Sequence, residues 1–171
     1  MQNLAADEKA TLVIIYTMNM LVRGEIVTKE RMRVGIWPRS QGVPNLVHIF
    51  KPNILLFGGG APKSFSMEEL FVPTTSMIGF HMALPSDEPL DYDERELNRS
   101  LEPLSLLLGT FKVKGKIRIS SAASLATSLE VLYNGWLSIY DAEITNLFLP
   151  QMPTLQTQLL LVHPGRTNFM N

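Results

Sequence analysis

Short apolar runs, separated by turn-forming residues, recur along the whole chain. Runs of this kind are typical of β-strands. In the N-terminal part, Met18-Asn19 and Lys51-Pro52-Asn53 are turn signals between successive runs. The pattern predicts five strands there, at Leu12–Tyr16, Met20–Thr28, Val47–Phe50, Ile54–Phe57 and Ser76–Leu84.

The C-terminal part has a similar pattern and adds one helix. Leucines recur at helical spacing within Ala122–Tyr133, which gives this segment one apolar face. Ser120 or Ser121 is a suitable N-cap for the helix. The strands predicted here are Leu104–Leu108, Phe111–Ser120, Trp136–Tyr140, Ala142–Phe148 and Leu155–His163.

Three sequence landmarks occur in the same order in both parts. They are Val22–Ile26 with Val113–Ile117, Val47–Phe50 with Leu137–Tyr140, and Val72–Thr74 with Met152–Thr154, at offsets of 91, 90 and 80. The segment Gly58–Ser64 is predicted to be a loop insertion that explains the smaller last offset. The ordered set predicts a tandem duplication.

The predicted fold class is mainly β (α+β), as a tandem duplication of a five-stranded small barrel-like unit with one short helix in the second copy. Residues 1–85 are predicted as the first β-rich repeat and residues 104–171 as the second. Residues 86–103 form an acidic linker, whose Tyr92–Ser100 segment is predicted as a short helix. A unit of about 70 residues is marginal alone, so the copies should pack together or the chain should form a homo-oligomer.

Matched positions in the two copies predict the core and the bends of the sheet. Gly24 and Gly115 are expected at equivalent places on the second strand of each copy, where glycine permits a bulge. The predicted core consists of apolar residues at matched positions: Val22, Ile26, Ile49, Ile54, Val113, Ile117, Ile139 and Ile144.

Two resemblances follow from these segments. The order and length of the strands resemble Sm-like small β-barrels, although the helix lies elsewhere. Within Val113–Ile144, a V-K-G-x-I strand is followed by G-W-L-S-I-Y-D-A-E-I, and this segment is similar to uncharacterised bacterial proteins of unknown function. Neither resemblance implies an activity.

Composition narrows the possible function classes. Of 171 residues, 46% are apolar and 18% charged, which is typical of a globular protein. The net charge of −1 argues against a globally basic nucleic-acid binder, and the absence of cysteine excludes disulfides, thiolate catalysis and cysteine-ligated zinc. Acidic residues precede the first apolar run, unlike a signal peptide, and no apolar run could span a bilayer. These features predict a soluble cytoplasmic protein without membrane contact.

One strand carries a stripe of positive charge. Lys112, Lys114, Lys116 and Arg118 alternate with apolar residues and glycine, so they share one face of the strand. The functional interpretation is a ligand or polyanion site that binds weakly and in a salt-sensitive way. The alternative is the solvated face of an antiparallel strand.

The acidic run from Asp87 to Glu96 is predicted to be a solvated linker. Asp91 and Asp93 have the spacing of the first two ligands of a calcium loop, but Arg95 occupies the next ligand position. The charge balance leaves two arrangements open: the linker folds against the basic stripe and neutralises it, or the stripe stays open to an external anion.

Other chemistries have little support. Gly58–Ser64 lacks the glycine that a phosphate loop needs before its lysine. His48, His81 and His163 have no metal-site spacing, so no metal and no cofactor are predicted. Asp141-x-Glu143 is a carboxylate pair on one strand face, which is usually solvated.

The chain is predicted to be a non-catalytic binding or assembly module of a soluble bacterial protein, with a homo-oligomer or protein partner. No catalytic residue is assigned, because no recognisable catalytic motif is present. The alternative is a small-ligand-binding protein or enzyme with a cleft between the repeats, closed by the Gly58–Ser64 loop. Convergence of His48, Asp141 or Glu143 in one pocket would favour that alternative.

Overall fold

The computed structural model describes residues 4–170, which form an antiparallel sheet of eleven strands and one α-helix. In chain order the elements are β1 (Glu8–Tyr16), β2 (Met20–Lys29), β3 (Leu46–Leu56), β4 (Lys63–Ser66), β5 (Glu69–Pro73), β6 (Gly79–Met82), β7 (Arg99–Leu108), β8 (Phe111–Ser120), α1 (Leu125–Leu132), β9 (Leu137–Asn146), β10 (Leu155–Val162) and β11 (Asn168–Met170). Single 3-10 turns or short 3-10 helices occur at Val34–Arg39, Thr74–Ser76 and Pro164–Arg166. The prediction of a mainly β protein is confirmed.

The strand order in the sheet is β11-β7-β8-β9-β10-β6-β1-β2-β3-β4, and β5 also pairs with β3. We call β1–β6 (residues 8–82) the N-terminal half and β7–β11 (residues 99–170) the C-terminal half. The two halves meet where β10 pairs with β6, and we call this contact the β6–β10 junction. The sheet is open, with β11 at one end of the order and β4 and β5 at the other.

Gly24 on β2 and Gly115 on β8 lie in bulges of the same geometry. At each glycine the register with the next strand shifts by one residue. The additional residue on the facing strand is Lys51 or Asp141, and these have φ values of 47° and 49°. The glycines therefore occupy like elements, as the sequence predicted, and each marks the point where its sheet bends.

Replacing either bulge glycine with alanine is expected to destabilise the fold by about 1–3 kcal/mol. A Cβ at Gly24 would lie 2.5 Å from Ile49 Cγ2, and one at Gly115 would lie 2.6 Å from Ile139 Cγ2. Backbone oxygens at 3.0 Å limit relaxation in both places. Urea unfolding of Gly24→Ala and Gly115→Ala measures the loss.

Gly135→Ala is the control for this measurement, because no heavy atom lies within 4 Å of a Cβ built there. Equal stability of all three variants would contradict the steric explanation of the bulges.

All eight predicted core residues are buried, at 2% exposure or less. The apolar side chains form two clusters, and β1 contributes to both of them. Val13 and Ile15 lie in the cluster of the N-terminal half, whereas Ile14 and Tyr16 lie in the cluster of the C-terminal half. Successive side chains of a strand point to opposite faces, so β1 is covered on both sides.

The helix forms close to its predicted place. Its leucines Leu125, Leu129 and Leu132 pack against the core of the C-terminal half, as expected from their spacing. The N-cap is Ser124, whose hydroxyl accepts a hydrogen bond from the Thr127 N–H at 3.2 Å. The prediction of Ser120 or Ser121 as the cap is wrong, because β8 continues to Ser120.

The predicted turn at Lys51-Pro52-Asn53 is wrong, because residues 47–50 and 54–56 belong to the single strand β3. The predicted break between Trp136–Tyr140 and Ala142–Phe148 is wrong for the same reason, since residues 137–146 form the single strand β9. The residues at Lys51 and Asp141 bend these strands at the bulges without ending them. A proline at position 52 gave the appearance of a break, but β3 keeps pairing with β2 on both sides of it.

The predicted match of Val72–Thr74 with Met152–Thr154 is also wrong. Val72 pairs with Val47 on β3, whereas Val162 pairs with Leu137 on β9. Because Val47 and Leu137 are 90 positions apart in the sequence, the counterpart of Val72 is Val162, also 90 positions later. Strands β4 and β5 together occupy the place of β10, and the short β6 occupies the place of β11.

The predicted helix at Tyr92–Ser100 is absent; this segment consists of turns and extended backbone before β7. Strand β7 begins at Arg99, inside the segment predicted as linker. We call residues 86–98, which connect the two halves, the strap.

Candidate functional site

The basic stripe lies on the outer face of β8. The alternating residues Val113, Ile117 and Ile119 are buried at 3% exposure or less, so the cations point away from the core. Lys116 Nζ lies 2.9 Å from Asp141 Oδ2, and the hydrogen bond to this carboxylate raises the pKa of Lys116. Lys114 is exposed and stands opposite Glu143 on β9. The stripe is therefore partly neutralised by its neighbour strand.

Arg118, the last member of the stripe, is covered by the strap. Its Nη1 donates to Glu96 Oε2 at 2.6 Å and its Nη2 donates to the Asp93 carbonyl at 2.8 Å. The guanidinium also lies 4.4 Å from the centre of the Tyr92 ring, a cation–π distance. Only 12% of the Arg118 side chain is exposed. Of the two arrangements left open by the sequence, the first therefore holds at Arg118, while Lys112 and Lys114 lie beyond these strap contacts.

The Asp91 carboxylate of the strap is enclosed by donors from both halves. Arg39 Nη1 lies 2.5 Å from Asp91 Oδ2, and the Ser138 hydroxyl donates to the same oxygen at 2.6 Å. The Tyr140 hydroxyl donates to Oδ1 at 2.8 Å. We call Arg39, Ser138 and Tyr140 the carboxylate cage. Asp91 is 10% exposed, so the cage holds a nearly buried negative charge.

The electrostatics of the carboxylate cage favour the ionised form of Asp91. Burial raises the pKa of Asp91, but the hydrogen bonds from Ser138, Tyr140 and Arg39 lower it by more, so the pKa lies below its ordinary value. Burial, with the neighbouring carboxylate, raises the pKa of Tyr140, so the phenol keeps its proton and donates. Arg39 is itself fixed, because its Nη2 donates to the Trp136 carbonyl at 2.8 Å.

Glu88 attaches the beginning of the strap to the N-terminal half. Its carboxylate accepts hydrogen bonds from the Val34 N–H at 2.6 Å and the Gly35 N–H at 2.8 Å. These amides open the short 3-10 helix Val34–Arg39 and have no partner within it. Three acids of the run, Glu88, Asp91 and Glu96, are thus bonded to the two halves. The run does connect the two halves, and four of its six acids are exposed as predicted, but Glu88 and Asp91 are partly buried and bonded.

The carboxylate pair lines a pocket without a histidine. Asp141 and Glu143 border an open depression of about 350 Å³ together with Gln156 and Gln158. His48 lies elsewhere, on β3, where Nε2 is 3.1 Å from Glu69 Oε2. Asp141 and Glu143 therefore converge in one depression, and His48 does not join them there.

A cleft between the halves does exist, next to the Gly58–Ser64 segment. It has a volume of about 340 Å³. The N-terminal half lines it with Met18, Phe57, Gly58, Gly59, Gly60 and Pro62, and the C-terminal half lines it with Thr110 and Phe148. Among these described lining residues none is titratable. The cleft can hold an apolar group but offers no acid or base.

Within residues 4–170, no three histidine or carboxylate side chains gather closely enough to hold a metal ion. No helix in this part of the chain has the length and apolar character needed to cross a bilayer. His81 is buried between Tyr16, whose hydroxyl is 3.0 Å from Nε2, and the Met82 carbonyl, 2.8 Å from Nδ1. His81 is therefore part of the core.

The β6–β10 junction is short and fully apolar. Leu161 stands opposite Phe80, and Val162 stands opposite Gly79. Leu161, Val162 and Phe80 are all completely buried. The His163 N–H extends the ladder by donating to the Ile78 carbonyl at 2.8 Å.

Each strand of the junction has an equivalent at a free edge of the sheet. Strand β11 has the position in the C-terminal half that β6 has in the N-terminal half, and β5 has the position in the N-terminal half that β10 has in the C-terminal half. Phe169 on β11 pairs with Leu106 on β7, as Phe80 on β6 pairs with Ile15 on β1. At the other end, Phe71 on β5 pairs with His48 on β3, as Leu161 on β10 pairs with Ser138 on β9. We call these free strands the β11 edge and the β5 edge.

Exposure separates the β5 edge from the junction. Phe71 is 53% exposed, whereas its counterpart Leu161 is completely buried. Leu46, Phe65 and Met67 add further apolar surface near the β5 edge, at 51%, 42% and 39% exposure. Exposed apolar edges of this kind are templates for pairing with another strand.

No protein-family model, curated protein or solved structure matches this chain. The resemblances to Sm-like barrels and to uncharacterised bacterial proteins stay predictions. Weak polyanion binding through Lys112, Lys114, Lys116 and Arg118 also stays a prediction.

The sequence pointed to Arg118 but missed Arg39, Ser138, Tyr140 and Asp91 as a group. Asp91 is 52 positions from Arg39 and 47 from Ser138. Only the acidic run itself signals the cage in the sequence, since separations of this size form no motif.

Proposed function

We propose that this chain is a non-catalytic assembly module, built from two copies of one unit, which forms homo-oligomers by pairing the β5 edge of one chain with the β11 edge of the next. The observation that carries the proposal is the β6–β10 junction. Inside each chain the junction joins β6 to β10. The strands equivalent to these two in the opposite halves, β11 and β5, are the ones left free at the ends of the sheet.

The proposal of two copies is supported by matched irregularities. Both halves have a glycine bulge at the same place, faced by a residue with φ near 50°. Both also have a one-turn 3-10 segment before their last strand, at Thr74–Ser76 and Pro164–Arg166. Such features are rarely shared by unrelated β-hairpins, because each needs a particular local sequence.

The register of the junction defines the register between chains. Replacing Leu161 by its counterpart Phe71, and Phe80 by its counterpart Phe169, gives a Phe71–Phe169 pair across the interface. Val72 then stands opposite Asn168, as Val162 stands opposite Gly79. An aromatic pair on one face of two adjacent strands is favourable by about 0.5–1.5 kcal/mol beyond its burial.

The elements beside the edges also fit a neighbouring chain. In the N-terminal half, the 3-10 helix Val34–Arg39 packs over β6 and β10 at the junction. In the C-terminal half, α1 holds the same place in the chain, after the second strand, and its end leaves Val131 and Tyr133 at 75% and 57% exposure. These side chains are available to cover the β5 edge of the next chain.

One difference makes the interface between chains weaker than the junction within the chain. Pro73 takes the place of His163 at this interface. Proline has no N–H, so it cannot donate the hydrogen bond that the His163 N–H donates to the Ile78 carbonyl in the junction. We therefore expect reversible association that depends on protein concentration. Because the two edges differ, the contact is heterologous and leads to rings or open chains of subunits.

Sedimentation velocity over a range of protein concentrations tests the proposal. The wild type is expected to form species larger than the 19.2 kDa monomer. Phe71→Glu and Phe169→Glu should each remain monomeric, because a charge at either edge stays unpaired in an apolar contact. A mixture of the two variants should form a dimer and nothing larger, since each retains one intact edge.

Leu97→Glu is the matched control, because Leu97 lies on the strap and is 94% exposed. It should assemble like the wild type. A wild type that stays monomeric at high concentration, or a mixture that fails to dimerise, would contradict the proposed function.

A further inference from the structure

The strap fills a groove that has separate places for a carboxylate, an aromatic ring and a second carboxylate. The cage holds Asp91, while Arg118 holds Glu96 and stacks on Tyr92. The Tyr92 ring also makes an edge contact with Tyr140, with ring centres 4.9 Å apart. The receiving side chains come from β8, β9 and the 3-10 helix Val34–Arg39, so they are positioned by the folded sheet.

The strap has little structure of its own. Residues 93–98 are exposed and form only turns. Its polar attachment beyond Glu88 consists of hydrogen bonds to three arginines, to two hydroxyl groups and to the Ser121 N–H. The receiving side chains lie on strands and on a short 3-10 helix, whereas the occupant is an irregular segment, as a peptide bound to a folded receptor often is.

The groove extends beyond its occupant. A pocket of about 140 Å³ lies beside Asp91 and is lined by both Arg39 and Arg118, with Trp136 and Tyr140. Two guanidinium groups face this space, and each already binds a carboxylate. Arginine forks are suited to planar carboxylates, which they bind with short charge-assisted hydrogen bonds.

We propose that this groove is a docking site for an acidic peptide of a partner protein, and that the strap occupies it in cis. The matching peptide has a carboxylate followed directly by an aromatic residue, and a second carboxylate four residues after the aromatic one, as in Asp91, Tyr92 and Glu96. This site lies on the outer face of β8 and β9 and does not depend on the pairing of the sheet edges.

A peptide accounts for the groove better than a simple anion does. An inorganic anion would satisfy Arg39 and the two hydroxyl donors, but it would leave the ring contacts between Tyr92, Tyr140 and Arg118 unused. The cis strap competes strongly, because a tethered ligand acts at an effective concentration on the order of millimolar. Binding in trans therefore requires that the strap be weakened.

The experiment uses the full chain and a fluorescein-labelled peptide with the sequence of residues 89–97, followed by fluorescence anisotropy at low salt. Asp91→Asn with Glu96→Gln weakens the strap and keeps its size. This variant is expected to bind the peptide at least about tenfold more tightly than the wild type, because the tethered competitor is removed. Asp87→Asn with Glu94→Gln removes the same charge from two exposed acids of the strap and should behave like the wild type.

Two further variants keep the test decisive. Adding Arg39→Ala and Arg118→Ala to the weakened strap should abolish peptide binding. If Asp91→Asn lowers the stability too far, Tyr92→Ala with Glu96→Gln leaves Asp91 in its cage and should give a smaller gain in affinity. Folding of each variant is checked by circular dichroism.

Three results would overturn the proposal. One is a folded strap variant that binds the peptide no better than the wild type does. Another is peptide binding that survives loss of both arginines. The third is binding of a single-stranded RNA oligonucleotide with no binding of the peptide, which would assign the groove to a different class of ligand.

Discussion

Truncation of Ile117 to alanine is expected to lower the free energy of unfolding by about 2–5 kcal/mol. Ile117 is 2% exposed and stands opposite Ile139, which is completely buried. The adjacent Gly115 bulge fixes the facing backbone, so the cavity left by the missing atoms cannot collapse freely. Urea or thermal unfolding of Ile117→Ala measures the change.

Leu97→Ala is the comparison, since Leu97 is 94% exposed and its truncation should change stability by less than about 0.5 kcal/mol. A loss well below 1 kcal/mol at Ile117, on the order of the Leu97 value, would mean that Ile117 points away from the core.

Acidification from pH 6.5 to pH 4 is expected to lower the free energy of unfolding by about 3 kcal/mol through His81 alone. Burial lowers the pKa of His81 from 6.5 to about 4, although the bond to the Met82 carbonyl acts in the opposite direction. In this window the unfolded chain binds a proton that the folded chain does not, so stability falls with pH. One pKa unit corresponds to about 1.4 kcal/mol.

The measurement is urea unfolding at several pH values between 7 and 4. Tyr16→Phe with His81→Leu removes the titrating ring together with the hydroxyl that bonds to it, so this hydroxyl is not left buried without its partner. This variant should show a much smaller slope across the window. Burial also lowers the pKa of the half-buried His163, so some slope remains. An unchanged slope would show that His81 binds its proton as readily in the folded chain as in the unfolded chain.

Much of the fold could be predicted because apolar alternation reports burial directly. The matched isoleucines and valines, such as Ile49 and Ile139, were found as core residues because their positions repeat in the sequence. Gly24 and Gly115 were found for the same reason. Local composition also predicted α1, whose leucines need only the spacing of one helix face.

The errors came from places where tertiary contacts override local signals. Lys51-Pro52 reads as a turn, yet the pairing of β3 with β2 keeps the strand continuous through a bulge. Strands β4 and β5 were missed because they are short and mostly exposed, and they pair only with β3. The cage was missed because its residues come from the strap, a 3-10 helix and β9.

The acidic run shows how charge alone misleads. A run of carboxylates is usually solvated, and composition gives no means of distinguishing the exposed Asp87 from the enclosed Asp91. The difference lies in Arg39, Ser138 and Tyr140, which are remote in sequence. Charge balance did suggest contact between the linker and the stripe, but it could not show that Arg118 is the place of contact.

The double burial of β1 has a consequence for how the protein can evolve. Alternate residues of this strand belong to different cores, so Ile14 and Tyr16 support Leu106 and Leu108 of the other half. A fragment of residues 99–170 would lack that support and expose its own core, so the C-terminal half depends on the N-terminal half for its folding. The whole chain should melt in a single cooperative transition. Sequence drift should be slowest in β1, where each substitution has to satisfy the packing of two interiors.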